Sequence, residues 1–356
     1  MARLSLFHKI LLGLNFLFIL GLGCSYLAPY ISPADFWPLA FAGLGYPLLV
    51  IGNLLFVLYW ILFKKRIFWI SLIVLILGYP YHRDFFRIDL GSGPIEEGSP
   101  PLQVMSFNVR LFGFYKWNSN KARRDKILRF LQAEQPDIAC FQEYFFSREK
   151  GFFDTRGPIL ERLNTEAHHQ AFAHKAGDKH LFGIATFSSK PIVHKGRVAF
   201  PQGQKNICIY SDILLKGDTV RVYNAHLGSI RTRGDDLNSI KGWRSILGKL
   251  RGAFVRRAEQ VDRIVEHMKN APHPIILCGD LNDTPNSYAF HRFDAFLQDS
   301  FSKSGSGMGR TYIGELPSFR IDHIFHSKKL HSFGYEVMPE ELSDHRPVQC
   351  KIQLKK

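Results

Sequence analysis

The residues of this chain that could take part in catalysis share one position, at the ends of short apolar runs. Such runs are typical of buried strands, and loops at strand ends are where a rigid sheet presents catalytic side chains. In chain order the candidates are Asn108, Glu143, His226, Asp280, Asn282, Asp322, Asp344 and His345. A single residue of this kind is most often structurally neutral, whereas the whole set indicates one catalytic site.

Glu143, which follows the run DIACFQ, is a candidate metal ligand. Mg²⁺ is typically bound through one or two carboxylates, keeps several waters and takes phosphate oxygens of the substrate as further ligands. Glu143 with Asp344 or Asp280 would supply that arrangement. The pattern therefore indicates chemistry on a phosphate ester, with help from a divalent metal.

The segment GDLND places Asp280 and Asn282 two residues apart, so on an extended chain both side chains point the same way. Asp280 could activate or orient a water, and Asn282 could donate a hydrogen bond to a phosphate oxygen. We expect Asp283 or Thr284 to cap the helix that follows. A capping role does not explain Asp280 or Asn282, so these two remain catalytic candidates.

His345 lies beside Asp344 in the run SDHRP, and Asp322 precedes both on its own apolar run. A histidine held by a buried carboxylate has its tautomer fixed and its protonated form stabilised. Hydrolysis of a phosphodiester spreads negative charge over the phosphoryl oxygens, which a cationic histidine and a metal would stabilise. His226 is a second candidate, as proton donor to the leaving oxygen.

Six short motifs, NVR, QE, NAHL, GDLND, IDHI and SDHRP, occur in this order along the chain. Each is weak alone, but the ordered set resembles the endonuclease/exonuclease/phosphatase superfamily, the deoxyribonuclease I-like proteins. The resemblance covers about residues 101–356. It implies a four-layer α/β sandwich with two central sheets, and a hydrolase that depends on Mg²⁺ or Mn²⁺.

The same resemblance implies roles for the candidate residues. Asn108 and Glu143 look like the metal-side pair, with Glu143 the main ligand and Asp344 a second metal-side acid. Asp280 and Asn282 look like the pair that orients the nucleophile and binds phosphate. Asp322 looks like the carboxylate that orients His345.

His226 distinguishes between branches of the superfamily. The abasic-site endonucleases carry a tyrosine at this place, whereas deoxyribonuclease I and the sphingomyelinase-like members carry a histidine. The chain therefore resembles a base-excision repair enzyme less closely.

Apolar periodicity predicts the elements that must position these residues. Four stretches with apolar residues three and four apart predict helices, at 120–134, 156–164, 238–270 and 286–297. Several runs are apolar on both faces, as in a sheet covered by helices on both sides, so the pattern predicts a layered α/β domain. Eight runs predict strands, namely LQVMSFN, DIACFQE, FGIATFS, ICIYSDILL, TVRVYNAHL, PIILCGD, FRIDHIF and VQCKIQL.

Three apolar stretches, 8–30, 36–63 and 67–81, precede this domain. A helix that crosses the hydrocarbon core of a membrane needs about 20 apolar residues, and the first two stretches meet that length. The third is short and could be re-entrant or interfacial, although we prefer three spans. We therefore predict a transmembrane module at 1–90, a Gly/Pro/Ser-rich linker at 91–100 and the catalytic domain at 101–356.

The placement of lysine and arginine predicts an orientation for this module. Arg3 and Lys9 precede the first stretch, Lys64, Lys65 and Arg66 separate the second from the third, and the link ISPADF has no basic residue. Basic residues favour the cytoplasmic side, so three spans would leave the catalytic domain outside. The expectation is a multi-pass protein, of the bacterial inner membrane, with an extracytoplasmic domain. If the third stretch does not cross, the domain faces the cytoplasm.

The net charge of +15 lies mostly on the part after residue 100, which holds 39 Lys and Arg against 26 Asp and Glu. Such an excess favours an anionic partner. Arg310 and Tyr312 are candidates for the substrate rim. The basic side chains of 239–260 could contact nucleic acid or anionic lipid headgroups, or face solvent, and they are Lys241, Arg244, Lys249, Arg251, Arg256 and Arg257.

These features leave three interpretations of function. The first is a membrane-anchored endonuclease or exonuclease, which the positive charge favours. The second is a phospholipid or sphingomyelin phosphodiesterase, or a phosphoinositide-type phosphatase, which the anchor favours because it brings the site to a lipid bilayer. The third is a binding protein with a degenerate site, which is disfavoured because no expected catalytic position is missing.

Overall fold

The structure, a computed structural model, describes residues 5–89, 91–95, 99–115, 118–119, 121–149, 151–201, 204, 206–230, 240–314 and 319–355. The chain divides into two compact units, which we call the helical unit and the sheet unit. The helical unit consists of Met1–Phe85, Thr232–Ala258 and Asp283–His291. The sheet unit consists of Phe86–Arg231, Glu259–Asn282 and Arg292–Lys356. The linear partition at 90 and 100 stays a prediction.

Six helices form the N-terminal part of the helical unit. They are α1 (Leu6–Leu27), α2 (Pro33–Phe36), α3 (Pro38–Leu44), α4 (Tyr46–Leu62), α5 (Phe68–Leu77) and α6 (Tyr79–Phe85). Ser5 caps α1 by accepting a hydrogen bond from the backbone N–H of His8. The axes of α3 and α4 differ by 64° across Gly45. Pro47 follows this break, and its ring and missing N–H prevent a continuous helix there.

By length and apolar composition, α1 is the described helix that could cross a membrane alone, with a mean hydropathy of 2.0. The bent pair α3 and α4 would make a second span if the two act together, and α5 has 10 residues. Leu17 and Leu20 on α1 are each 64% exposed within the chain. The N-terminal apolar helix is therefore suited to a membrane anchor or a signal sequence, and the three-span arrangement stays a prediction.

Buried polar side chains join three of these helices. The Asn15 side-chain amide donates to Ser71 Oγ at 2.7 Å, and Asn15 Oδ1 accepts from Trp60 Nε1 at 3.0 Å. All three side chains are fully buried. Polar groups of this kind are common between apolar helices because each is satisfied by the next helix. The contacts fix α1, α4 and α5 against each other.

The helical unit also holds the segment that follows the GDLND motif. The Asn286 side-chain amide donates to the backbone carbonyl of Ser25 at 3.0 Å. Asp283 pairs with the buried Arg257 at 2.9 Å, so Arg257 is part of the interior and not of a solvent-facing basic surface. Ser287, rather than Asp283 or Thr284, accepts the N–H of Phe290 and caps the next helix. The side chain of Lys241 lies outside the described residues.

Gly43 in α3 allows a close backbone approach within the helical unit. A Cβ atom at this position would lie 2.6 Å from the Asn286 carbonyl oxygen and 2.9 Å from the Ala28 Cβ. Because the first of these atoms is backbone, Gly43→Ala is expected to destabilise the chain by about 1–3 kcal/mol. Thermal unfolding of the full chain in detergent would measure the loss.

Gly23→Ala is the matched control, since nothing lies within 4 Å of the added Cβ atom at that position of α1. This change is expected to be neutral or to stabilise by up to about 1 kcal/mol, because alanine is the better helix former. Equal melting temperatures for the two variants would contradict the close approach at Gly43.

The remaining helices follow the N-terminal six along the chain. They are a 3₁₀ turn (Arg110–Gly113), α7 (Lys121–Glu134), α8 (Arg156–Arg162), α9 (Ile240–Lys269), α10 (Tyr288–Asp294) and α11 (Ser300–Ser304). The longest described one is α9. The residues of α9 and α10 are shared between the two units, with the division after Ala258 and after His291. The four predicted helices are confirmed as α7 to α10, although α10 is shorter than predicted.

Among its described residues, the sheet unit contains fourteen strands. They are β1 (Leu102–Asn108), β2 (Phe114–Tyr115), β3 (Asn118–Ser119), β4 (Ile138–Ser147), β5 (Ala167–Ala176), β6 (His180–Ser188), β7 (Ile192–Val198), β8 (Ile207–Leu214), β9 (Thr219–His226), β10 (Ile275–Asp280), β11 (Gln298–Asp299), β12 (Asp322–His326), β13 (Leu330–Val337) and β14 (Val348–Leu354). The first sheet has the order β13-β14-β1-β4-β6-β5, and the second has the order β11-β12-β10-β9-β8-β7. Both sheets are mixed, because β1 runs parallel to β4 and β9 parallel to β10.

The two sheets pack face to face and share a core. Val104 of the first sheet belongs to the same buried cluster as Val222 and Ile276 of the second. The next residues along β1 alternate, and Phe107 packs on the other face of the sheet against Leu131 of α7. On the outer face of the second sheet, Tyr223 is hydrogen-bonded to His267 of α9. Helix, sheet, sheet and helix make the predicted four-layer α/β sandwich.

All five cysteines are free, and four of them are buried. Cys140, Cys278 and Cys350 lie in the core between the sheets. They act there as small apolar side chains, as their surroundings in the sequence predicted.

Candidate active site

Strand register brings the catalytic candidates of the second sheet side by side. Asp280 at the end of β10 is the register partner of His226 at the end of the parallel strand β9. On its other side Asp280 is paired with Asp322, the first residue of the antiparallel strand β12. Asn108 ends β1 in the facing sheet. The candidates therefore meet at one edge of the sandwich.

Asp280 lies at the centre of these contacts and is 1% exposed. Its Oδ2 accepts a hydrogen bond from the Asn108 side-chain amide at 2.9 Å, which links the two sheets. Its Oδ1 accepts from the backbone N–H of Asn282 at 2.8 Å. The Nε2 atoms of His226 and His345 lie 3.7 Å and 3.9 Å from Asp280 Oδ2. Burial raises the pKa of Asp280, and the two imidazoles partly offset this effect.

His345 is held by Asp322 as the sequence predicted. The His345 Nδ1 and the Asp322 Oδ2 are 2.8 Å apart, and both side chains are buried. Burial alone would lower the pKa of His345, but the carboxylates of Asp322 and Asp280 outweigh it and raise this pKa to about 10. The imidazole is therefore protonated at neutral pH, with its Nε2–H on the side of Asp280.

Asp280, Asp322 and His345 each offer one atom within 4.8 Å of the others, a spacing that would suit a metal. A protonated imidazole has no free lone pair, so His345 in this state is no ligand. The imidazolium offsets the charge of one of the two carboxylates. Among the described residues, Asp322 Oδ1 and His226 Nε2 are buried without a hydrogen-bond partner.

Glu143 occupies an irregular position on β4. The pairing of β4 with β6 shifts between Phe141 and Tyr144, so one extra residue is inserted, and Glu143 has a φ of 47°. Bulges of this kind re-aim a side chain and are frequent beside active sites. In the part of the chain that is described, no Lys, Arg or His nitrogen lies within 4.0 Å of this partly buried carboxylate. An acid without a cationic partner at this edge fits a metal ligand.

The residue before Glu143 ties β4 to the second sheet. The Gln142 side-chain amide donates to Asn224 Oδ1 at 2.8 Å, and Gln142 is the register partner of Asn108. Glu143 therefore follows a residue that is fixed next to Asn108. Among the described residues, no hydrogen bond or ion pair joins Glu143 itself to Asp280 or His345, so its metal role stays a prediction.

Asp344 has a partner that the sequence analysis missed. Its carboxylate lies 3.3 Å from Nε of Arg110, which is the last residue of the NVR motif. The backbone N–H of Arg110 also donates to Asn108 Oδ1 at 3.0 Å. Arg110 has a φ of 42°, in the left-handed region that is costly for a non-glycine residue. This turn brings Asp344 and Asn108 into one network, and the metal role predicted for both stays a prediction.

Asn282 also adopts the left-handed conformation, with a φ of 52°. Asparagine tolerates this region better than most residues. Its side-chain amide donates to the backbone carbonyl of Leu227 at 3.2 Å, just after His226 on β9. The amide is thereby oriented next to Asp280, and its contact with phosphate stays a prediction.

The two residues predicted for the substrate rim behave differently. The Tyr312 ring lies 5.2 Å from the His345 ring, and the two residues form an isolated antiparallel bridge. The exposed Arg310 instead contacts Met308 Sδ at 3.1 Å. Arg346 is a further residue missed from sequence, although SDHRP contains it, and its backbone N–H donates to Thr311 at 2.8 Å.

Comparisons with known proteins concern the family and the fold. Residues 105–345 match the model of the endonuclease/exonuclease/phosphatase family, and residues 8–85 match that of a domain of unknown function (DUF8431). Comparison of the sequence with curated proteins gives no match.

Several solved structures share the fold at low sequence identity. An endonuclease/exonuclease/phosphatase family protein from Bacteroides thetaiotaomicron is 21% identical with a TM-score of 0.53, over 72% of this chain and 100% of that one. The human Nocturnin catalytic domain with bound sulfate is 22% identical with a TM-score of 0.51, over 75% and 96%. The Bacteroides thetaiotaomicron mannosyl-6-phosphatase is 21% identical with a TM-score of 0.50, over 70% and 99%.

Proposed function

Because this chain belongs to the endonuclease/exonuclease/phosphatase family, we propose that it is a divalent-metal-dependent hydrolase of phosphodiester bonds in nucleic acid. The observation that carries the proposal is the buried constellation around Asp280, which combines a carboxylate, a carboxylate-held imidazolium and two amides. Members of the family are phosphoesterases and typically depend on a divalent metal. The excess of positive charge after residue 100 supports an anionic polymer as substrate.

Glu143, Asn108 and Asp344 are the residues that would hold the metal. Their donors are oxygens, which suit Mg²⁺ or Mn²⁺. Glu143 has no cation within 4.0 Å in the described chain, so it is available as the main ligand. When bound, the ion would supply positive charge that stabilises the negative charge developing on the phosphoryl oxygens.

Asp280 would accept a proton from the attacking water. Its Oδ1 is fixed by the Asn282 backbone, and its Oδ2 by the Asn108 amide, so the carboxylate keeps one orientation. Such a base contributes about 10²–10⁴-fold to the rate of a proton-transfer reaction. The Asn282 side-chain amide is oriented by the Leu227 carbonyl, and its second N–H would donate a hydrogen bond to a phosphate oxygen.

His345 would stabilise charge on the phosphoryl group. Its Nδ1–H donates to Asp322, so the ring is fixed and its Nε2–H remains for the substrate. His226 would give a proton to the leaving oxygen, since its buried Nε2 has no hydrogen-bond partner in the described part of the chain. Tyr312 supports the His345 ring through its edge contact.

A second candidate function is a phosphodiesterase or phosphatase that acts on phospholipid headgroups. The apolar helix α1 supports it, because a membrane anchor would keep the site near such a substrate. The similarity to a mannosyl-6-phosphatase supports a phosphomonoester as the substrate of such a phosphatase. A non-catalytic binding protein is the third candidate, and nothing in the constellation around Asp280 favours it.

The topology that we propose has three membrane spans and an extracytoplasmic sheet unit in a bacterial inner membrane. The orientation follows from the basic residues at 3, 9 and 64–66, and the number of spans follows from the three apolar stretches 8–30, 36–63 and 67–81. A protease added to intact spheroplasts should then cleave the sheet unit. Protection until the membrane is opened would contradict the proposal.

The function is tested with the full chain in detergent, with Mg²⁺ and with excess EDTA. The substrates are plasmid DNA, RNA, sphingomyelin vesicles and inositol phosphates, assayed side by side. We expect Mg²⁺-dependent cleavage of nucleic acid that EDTA abolishes. Cleavage of a lipid substrate alone would establish the second candidate instead, and no metal-dependent hydrolysis of any substrate would reject an enzymatic function.

A further inference from the structure

A cavity of about 420 Å³ lies in the sheet unit beside the catalytic segment. This volume is in the range of small-molecule sites, which is about 300–1,000 Å³. We call it the arginine cavity, and its wall is formed by Ser306, Met308, Gly309, Arg310, Tyr335, Glu336, Val337 and Arg346.

A short antiparallel pairing connects the arginine cavity to the catalytic histidine. Tyr312 forms the bridge with His345. On either side of it the Arg346 backbone N–H donates to the Thr311 carbonyl, and the Ile313 N–H donates to the Asp344 carbonyl, both at 2.8 Å. Arg346 therefore directly follows His345 on one strand of the pairing. On the other strand, Tyr312 faces His345, and Arg310 lies two positions before Tyr312.

The charges on the cavity wall favour an anion. Within the described chain, no carboxylate lies within 4.0 Å of the Arg310 guanidinium, and its contact is the Met308 sulfur. Arg346 pairs with Glu341 at 3.1 Å, but Glu341 is 67% exposed, so water and salt weaken this pair. The Arg346 Nε is buried and has no hydrogen-bond partner among the described residues. Glu336 is the acidic residue on the described wall.

We propose that the arginine cavity binds a second phosphate of the substrate while the first lies at Asp280 and His345. This inference rests on the proposed hydrolysis of phosphate esters and adds the substrate class, namely esters with two phosphates. Guanidinium groups bind phosphate through paired, charge-assisted hydrogen bonds, and Arg310 and Arg346 offer two such groups. Two residues of extended chain span roughly 7 Å, which is the spacing along the chain between Arg310 and Tyr312, the residue that faces His345. A substrate whose two phosphates are about this far apart would reach both places.

The second phosphate could come from two sources that share this chemistry. One is the neighbouring phosphodiester of a polynucleotide, and the other is the second phosphate of a small bisphosphate. Two matched substrate pairs distinguish them. The dinucleotide pTpT is compared with TpT, and fructose 1,6-bisphosphate is compared with fructose 6-phosphate.

The experiment measures kcat/KM of the full chain in detergent with Mg²⁺ for both members of each pair. The wild type should prefer the substrate with the second phosphate, by about ten-fold or more, in at least one pair. Arg310→Gln should remove most of this preference, chiefly through KM, and Arg310→Lys should restore part of it. Arg346→Gln should act in the same direction, whereas Glu336→Gln should increase the preference because it removes a repelling charge.

Arg197→Gln is the matched control, since this exposed arginine lies on the edge strand β7. It should leave the preference as in the wild type. Equal kcat/KM within both pairs for the wild type, or the same loss in the Arg197 and Arg310 variants, would overturn the second-phosphate site. Both results presuppose turnover, so they differ from a failure of the proposed function, in which no substrate is hydrolysed at all. The pair that shows the preference identifies the source of the second phosphate.

Discussion

Replacement of Asp280 by asparagine is expected to lower kcat by about 10³-fold while the chain stays folded. The carboxylate receives the Asn108 amide and the Asn282 N–H, and it faces two imidazole rings. An amide of the same shape can keep one of these hydrogen bonds. It cannot accept the proton of the attacking water, and it cannot balance the charge of the His345 imidazolium. The measurements are kcat at saturating substrate and the melting temperature.

Asp212→Asn is the matched control for the loss of a buried carboxylate. Asp212 on β8 binds Arg221 through two hydrogen bonds of 2.6 Å and 2.7 Å, and both residues are buried. Breaking such a pair is expected to destabilise the chain by about 3–5 kcal/mol. The kcat of the folded fraction should stay as in the wild type. An Asp280 variant that retained a tenth or more of the wild-type kcat would contradict the role of this carboxylate as the base.

The strands that the sequence predicted and those it missed differ in their position in the sheets. The eight predicted runs are confirmed as the eight interior strands, four in each sheet. The missed strands of the two sheets are their four edges, namely β5, β7, β11 and β13. An interior strand with helices or a second sheet on both faces is apolar throughout, and this composition is visible in the sequence.

An edge strand has a different composition because part of it faces water. β5 reads AHHQAFAHKA and has no fully buried residue, and β7 reads IVHKGRV with three exposed residues in the middle. β13 includes Gly334, with a φ of 60°, at a register shift. Charged residues and bulges are usual on edges because they prevent pairing with other chains. They also remove the period of two on which sequence prediction depends.

The candidate site shows a similar division. Asn108, His226 and Asp280 could be found because each ends an apolar strand. The meeting of His226 with Asp280 follows from parallel pairing, whereas Asn108 reaches Asp280 from the facing sheet. Arg110 and Arg346 were not recognised, although both are in the motifs. Arg110 matters because it faces Asp344, and Arg346 because it lines the arginine cavity. The turns that orient these side chains have no periodic pattern in the sequence.

The composition of the units was not predictable from the apolar stretches. Residues 232–258 and 283–291 cluster with the N-terminal helices, although they lie far along the chain. The contacts that hold them are single pairs, such as the Asn286 amide with the Ser25 carbonyl. A close approach at a glycine such as Gly43 has no sequence pattern, because only the three-dimensional structure shows which backbone lies opposite.

Replacement of Glu143 by glutamine tests the metal site apart from the proton-transfer groups. An isosteric amide keeps the shape at the bulge of β4 but removes the charge that would bind the cation. A ligand that binds the folded state at 100 times its dissociation constant stabilises it by about 2.7 kcal/mol. We therefore expect Mg²⁺ to raise the melting temperature of the wild type, but to have little effect on that of the Glu143 variant. Hydrolysis should fall by about 10³-fold as well.

Glu149→Gln is the matched control, because it removes a carboxylate just beyond the end of the same strand. Glu149 is 46% exposed and lies 3.8 Å from the exposed Lys179, so its charge serves no buried group. This variant should keep both the Mg²⁺-dependent rise in melting temperature and the rate. If Glu143→Gln also kept the rise in melting temperature, Glu143 would not be the main ligand, and the metal would bind through Asp344 or through the cluster of Asp280 and Asp322. The variant could also lose hydrolysis but keep the Mg²⁺-dependent rise in melting temperature. Because binding and turnover are measured separately, that result would assign Glu143 to the catalytic step and not to metal binding.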